Sequence, residues 1–305
     1  MADWLTTTKV KPSTKRQWRQ IVEHHVLLDS IHAIKLGHLK HLHVQQFVDR
    51  RVADSLSPNY IGVMHAVLSI ALGRAVRLGI IPSNPAAACD LPRKTRGVMA
   101  CWNESQIKAF LLAAQDDEHH ALWVLALTIG LRRGELLALK WPDIDIDKGT
   151  LTISRTMTTR EDGSYFIADE PKSTSSRRTI KLPMICIAAL RRRRALQNQR
   201  RLQLGEVWSA DEAVFDNGVG AHYAYPHGIG RKFRALSQST GLAPIKFHGM
   251  RHSAATAMLR NGVPVHTVSR ILGHANASIT LNVYAHVLSD AQQDAATKID
   301  QMFGT

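Results

Sequence analysis

Cysteine is scarce in this chain: Cys89, Cys101 and Cys186 are the only three in 305 residues, far apart and without a CxxC pair. Neither a disulfide framework nor a cysteine-ligated zinc site follows from that number and spacing, and a reducing, cytoplasmic compartment suits it. Aromatics make up 6% of the chain and tyrosines number five, so a tyrosine in an unusual context asks for a reason beyond packing. Acidic residues are outnumbered, 25 Asp and Glu against 39 Lys and Arg, giving a net charge of +14. That balance favours a polyanionic partner over small acidic substrates. Long apolar runs are lacking too: "ALWVLALTIGL" at 121–131 stops at Arg132, short of the about 20 residues that a bilayer span needs. No charged-then-apolar leader opens the chain. Nucleic acid is therefore a better polyanion than a membrane surface. Sixteen histidines are present, densest in "EHH" (23–25), "HLKHLH" (38–43) and "EHHAL" (118–122). None of these groups joins metal-ligand spacing to carboxylate or thiolate partners, so no metal is called for.

The length exceeds that of a usual single core and predicts two domains. Residues 12–28 read as a helix with Ser13 as N-cap and Trp18, Ile21, Val22 and Val26 at helical spacing. A shorter helix is expected near 44–54. The clearest helix is 57–79, with Ser57 at the cap, Pro58 in the first turn, and Gly79 at the end. These form an all-α unit over 1–92, followed by a basic linker at 93–101 and a second domain over 102–305. Residues 1–92 hold 11 Lys and Arg against 6 Asp and Glu, and the remainder 28 against 19, so both parts are basic. Basicity in two folded units suits a clamp around one polyanion. The second domain opens on "NESQIKAFLLAA", where Asn103 and Gln106 resemble a capping box. "LTISRTM", "SYFIA" and "RRTIKL" predict a three-stranded antiparallel sheet, after which helices resume beyond Pro183. Arg191 to Arg194 occupy four successive helix positions and read as solvated or phosphate-facing charge.

Three separated stretches carry unusual groups: "TIGLRRGELLALKW" (128–141), "KFHGMRHSAATAML" (246–259) and "ILGHANASITLNVYAHV" (271–287). Singly, each has a plain explanation, such as a helix-surface pair for Arg132 and Glu135. In this order they resemble the tyrosine recombinase (phage integrase) family of site-specific DNA recombinases. The family pattern is an arginine in G-L-R-x-x-E, a lysine between two strands, H-x-x-R, L-G-H, and a tyrosine about ten residues on. The matching residues are Arg132 in "GLRRGE", Lys172 in "EPKSTSSR", His248 and Arg251 in "HGMR", His274 in "LGH", and Tyr284 in "VYAHV". The resemblance covers nearly the whole chain, since 1–92 also looks like the family's helical core-binding domain. It implies a mainly α fold with a small antiparallel β-sheet, arranged as a two-domain, C-shaped DNA clamp with a mixed α/β catalytic domain.

The chemistry accounts for the residue types. A DNA phosphodiester is anionic, and the transition state for its cleavage gathers further charge on the non-bridging oxygens. Arg132 and Arg251 stay protonated and can donate paired hydrogen bonds there. The resemblance makes Tyr284 the nucleophile, leaving a 3′-phosphotyrosyl link and a free 5′-hydroxyl. A phenol titrating near 10 needs a proton acceptor or a cationic surround, and His248 is the candidate acceptor. The family pattern assigns protonation of the leaving 5′-oxygen to Lys172, a phosphate hydrogen bond to His274, and a supporting role to Glu135. The covalent link conserves bond energy, so neither ATP nor a metal is required and no cofactor is expected. Arg133 adjoins Arg132 with the same charge; the family pattern favours Arg132. His252 and His286 have no part in the pattern and read as structural.

The resemblance further implies double-stranded DNA with core-type attachment sites as partner and a homo-tetramer passing through a Holliday junction. Host or phage DNA-bending proteins are candidate accessory partners, and work on the bacterial nucleoid is implied. The segment after Tyr284, with Ala295, Ile299 and Met302 spaced for burial, resembles the part that docks on a neighbouring protomer. Many phage integrases carry a further N-terminal arm-binding domain, which this chain is not expected to contain. A compact integrase, an Xer-like dimer resolvase and a chain starting at the core-binding domain all remain open, with "MADWL" favouring integrase. Two other classes compete: a type IB topoisomerase sharing the chemistry, and a DNA-binding regulator using "VPVHTVSRILGHA".

Overall fold

The computed structural model describes residues 2–94, 99–169, 177–208, 212–217 and 223–274, together with 276, 278, 280, 281, 300, 302 and 303. The chain divides into two compact units, Met1–Val98 with Thr159–Ser164, and Met99–Thr158 with Tyr165–Thr305.

The first unit is helical: α1 (Ala2–Thr7), α2 (Pro12–Ile21), α3 (His41–Ala53) and α4 (Pro58–Arg77). Pro12, not Ser13, opens α2, because proline's fixed φ and missing N–H suit the first helical position and carry Ser13 inside. The helix then widens into a π-turn over Val22–Val26 instead of running on regularly to residue 28. At α4 the expected cap is present, with the Tyr60 N–H donating to Ser57 Oγ at 3.3 Å. Among the described residues α4 alone is long and apolar enough to cross a membrane by length and composition. Its Ile61, Met64, Val67, Leu68, Ala71, Leu72 and Ala75 are buried in this unit's core with Phe47 and Val48 of α3. On α2, Lys15 and Arg19 hold Glu161 at 3.1 and 3.0 Å.

The second unit begins with α5 (Glu104–Ala113), whose cap is reciprocal: Gln106 N donates to Asn103 Oδ1 and Asn103 N to Gln106 Oε1, each at 2.9 Å. Next, α6 (His120–Thr128) overlaps the apolar run noted above. It has no polar face because it is buried from Ala121 to Leu127, the signature of a helix packed on every side. Then come α7 (Arg133–Leu137), strands β1 (Ile144–Asp145), β2 (Thr150–Ile153), β3 (Thr156–Thr159), β4 (Tyr165–Ala168) and β5 (Arg178–Lys181), and helices α8 (Met184–Leu204), α9 (Pro226–Ser239), α10 (Phe247–Arg260) and α11 (Val265–Leu272). Trp102, Phe110, Trp123 and Phe233 meet at the centre of the core. The fold is thus mainly α with a small antiparallel β-sheet.

The sheet's membership differs from the expectation. The three-stranded sheet runs β1-β2-β5, with Leu151 opposite both Ile144 and Ile180, while β3 and β4 form a separate two-stranded ribbon. "LTISRTM" is therefore two strands. The break falls at Ser154–Arg155, just past the last β2–β5 pair (Ile153 opposite Arg178), and the Arg155 guanidinium pairs with Asp143. The arginine run on α8 is likewise not all surface. Arg193 is 3% exposed and ion-paired with Asp216, because four successive positions circle the helix and one must face inward. Of the C-terminal residues expected to be buried, Ala295 and Ile299 lie outside the described residues, and Met302 is exposed.

Candidate active site

The chain leaves the buried α6 through Gly130, whose φ of +68° brings a backbone turn that a side chain would oppose. A Cβ at Gly130 would lie 2.7 Å from the Leu272 side chain, so two segments close tightly here. Arg132 follows in extended conformation as the residue capping α7. Glu135, in the first turn of α7, accepts from the Arg132 backbone N–H through Oε2 at 2.9 Å and from Arg132 Nη1 through Oε1 at 2.8 Å. Glu135 is 4% exposed and the Arg132 side chain 37%, so the carboxylate is sunk while the guanidinium reaches the surface. Arg133 points elsewhere: it is exposed and lies over the Phe247 ring at 5.9 Å.

One face of α10 carries His248 and Arg251, three residues apart. Arg251 is buried, donating from Nη1 to the Gly130 carbonyl at 2.9 Å and from Nη2 to the Leu272 carbonyl at 2.8 Å. His248 meets His252 edge to face, ring centroids 4.9 Å apart. At the end of α11, Gly273 takes the left-handed conformation, φ +67°, and turns the chain into His274. His274 Nδ1 lies 2.8 Å from the hydroxyl of Thr280, which is fully buried.

The electrostatics bind these groups into one site. Burial pushes the His248 pKa down, helped by the positive charges of Arg251 and Arg132. Burial first, and then Arg251, Arg132, His252 and Arg178, bring His274 down to about 4. His252 is held at about 4 by burial, His248 and Arg251. At neutral pH the rings are uncharged, so the site holds fixed guanidinium charge beside neutral imidazoles. That combination suits an anionic group undergoing proton-coupled chemistry.

The structure brings Arg132, Glu135, His248, Arg251 and His274 together. Lys172 and Tyr284 lie outside the described residues. One participant was missed from the sequence: Arg178, at the start of β5, donates to both Glu135 oxygens, Nη1 to Oε1 at 3.1 Å and Nη2 to Oε2 at 3.0 Å. The available signal was strand alternation, since Arg178 and Ile180 share the inward face of β5. Thr280 was also missed, hidden in what reads as a spacer.

Residues 102–290 match the profile of the phage integrase family. A tyrosine recombinase XerC-like protein of Caldanaerobacter subterraneus subsp. tengcongensis is 27% identical over 309 residues, covering 96% of this chain and 79% of that protein. Among solved structures, the Tn1549 transposon integrase in complex with a circular intermediate DNA superposes with a TM-score of 0.79 at 21% identity, covering 98% of this chain and 97% of that one. A lambda integrase tetramer bound to a Holliday junction gives a TM-score of 0.65 at 17% identity, with 91% and 74% covered.

Proposed function

The chain belongs to the phage integrase family of tyrosine recombinases, and from that premise we propose that it cuts and rejoins DNA at specific sites through a 3′-phosphotyrosyl intermediate. The observation that carries the reading is the convergence of Arg132 and Arg251 beside His248 and His274, with both guanidiniums braced on backbone carbonyls. Tyr284 Oη attacks the scissile phosphorus, a bond forms between them, and the bond to the 5′-oxygen breaks. His248, kept neutral by burial and its cationic neighbours, accepts the phenol proton. Lys172 supplies the proton to the departing 5′-oxygen. Arg132 and Arg251 meet the charge on the non-bridging oxygens, and loss of either lowers the rate by on the order of 10²–10³. A Thr280 hydroxyl donating to His274 Nδ1 leaves the ring proton on Nε2, ready for a phosphate oxygen. Attack on the phosphotyrosyl phosphorus by the 5′-hydroxyl freed on the partner duplex breaks the bond to Tyr284 Oη, and the phenol takes its proton back, so exchange is completed without ATP.

In this reading residues 1–92 and 102–305 are the core-binding and catalytic domains, joined by the linker at 93–101. Four copies assemble on two duplexes, in the manner of the lambda integrase tetramer on its Holliday junction. The task is integration and excision of a mobile element in nucleoid DNA, with Xer-like dimer resolution as the second reading, favoured by the similarity to the XerC-like protein. The test uses the duplex site that the full chain selects from random-sequence DNA. Two copies of it on separate plasmids should yield joined recombinants, with a covalent protein–DNA species trapped at a nick. Relaxed topoisomers without recombinants would support the topoisomerase alternative instead.

A further inference from the structure

The last turn of α11 presents three successive carbonyls, and three arginines from three elements take one each. Arg178 Nε donates to Ile271 O at 2.7 Å, Arg251 Nη2 to Leu272 O at 2.8 Å, and Arg132 Nη2 to Gly273 O at 2.9 Å. A helix C-terminus leaves its final carbonyls without intrahelical partners and carries partial negative charge, so it is a natural seat for guanidinium groups. Two of the three are the proposed phosphate ligands; the third has no role in the mechanism above. Its side chain is 6% exposed, against 37% for Arg132.

We propose that Arg178 is a positioning residue for strand cleavage: its fork holds Glu135 and the end of α11, and through them sets the direction and effective charge of Arg132. This rests on the recombinase reading. Glu135 beside Arg132 alone would form a neutral pair, and the carboxylate would compete with the phosphate for the guanidinium hydrogens. With Arg178 on both carboxylate oxygens, the cluster of two arginines and one glutamate carries a net positive charge, and the acceptor capacity of Glu135 is shared. The same fork ties β5 to the turn that delivers His274. Gly273 makes the seat possible, since a Cβ there would stand 2.5 Å from Arg178 Nη1 and 2.8 Å from its Cζ.

The test compares covalent adduct formation in a single turnover by the full-length wild type, Arg178→Lys and Arg178→Gln. Each is given the selected site, nicked, with either a normal scissile phosphodiester or a methylphosphonate that lacks the charge on one non-bridging oxygen. Both variants should slow adduct formation on the phosphodiester by roughly 10–100-fold, while DNA affinity stays within about threefold. On the methylphosphonate the loss should shrink to less than about threefold, because less charge remains for Arg132 to meet. The ratio of the two losses is taken on one preparation, so any unfolded fraction cancels. Equal losses on both substrates, or no loss on either, would overturn the proposal. A wild type that forms no adduct on either would overturn the recombinase reading, and this inference with it.

Discussion

Substituting Asp216 by Ala separates the scaffold of the second unit from its chemistry. The side chains of Arg193 and Asp216 are each 2% exposed, joined from Nη2 to Oδ2 at 2.6 Å, with Gln197 Nε2 donating to the same oxygen at 2.7 Å. Arg193 also donates from Nε to the Val214 carbonyl at 2.9 Å, so it cannot swing out to water without breaking backbone contacts. Removing the carboxylate leaves a buried guanidinium without its paired charge, offset by the lesser pull of Glu118 and Asp117, which costs about 3–5 kcal/mol, a large part of the roughly 5–15 kcal/mol that keeps a domain folded. At about 2–4 °C per kcal/mol for a unit of this size, the melting temperature should fall by roughly 6–20 °C. Replacing both partners, as Arg193→Met with Asp216→Leu, removes the stranded charge and should cost much less than the single change. Urea unfolding and thermal melts of the three proteins read the difference. Adduct formation measured well below the melting temperature should stay within about twofold, since neither residue touches the candidate site. A single variant losing less than about 1 kcal/mol, or a double variant losing as much as the single, would refute the burial argument.

Two further outcomes are expected. Arg132→Ala should slow adduct formation on the order of 10²–10³-fold, whereas Arg133→Ala, which gives up a cation–π contact with Phe247, should cost less than about fivefold; equal losses would contradict the choice between neighbours. His119 is 6% exposed and held at about 4 by burial, against the opposing pull of Glu118 and Asp117, with Lys232 and Arg193 reinforcing the drop. Its unfolded-state pKa is near 6.5, so its contribution, on the order of 3 kcal/mol, is present above pH 6.5 and lost as pH falls towards 4. Urea midpoints should therefore drop over that window, and less steeply in His119→Gln; parallel curves would exclude His119 as a source.

Local signals carried much of the fold into the sequence. Ser57 and Pro58 mark the start of α4, and Asn103 with Gln106 marks that of α5, because capping involves residues three apart. The motif residues Arg132, His248, Arg251 and His274 were legible by resemblance. What stayed hidden depends on distance along the chain. Which strand joins β2 is settled by pairing between residues some thirty positions apart, and the partner of Glu135 lies 43 positions away at Arg178. Arg193 looked like surface charge because its neutralising partner, Asp216, belongs to a different segment. Charge in sequence reads as solvated until the fold supplies its counter-charge.

In the proposed mechanism Tyr284 carries the covalent bond to DNA. Incubating the wild type and Tyr284→Phe with the nicked site and resolving the products under denaturing conditions tests it directly. The wild type should give a shifted protein–DNA species and Tyr284→Phe none, while both bind the duplex with equal affinity. A covalent species formed by Tyr284→Phe would contradict it.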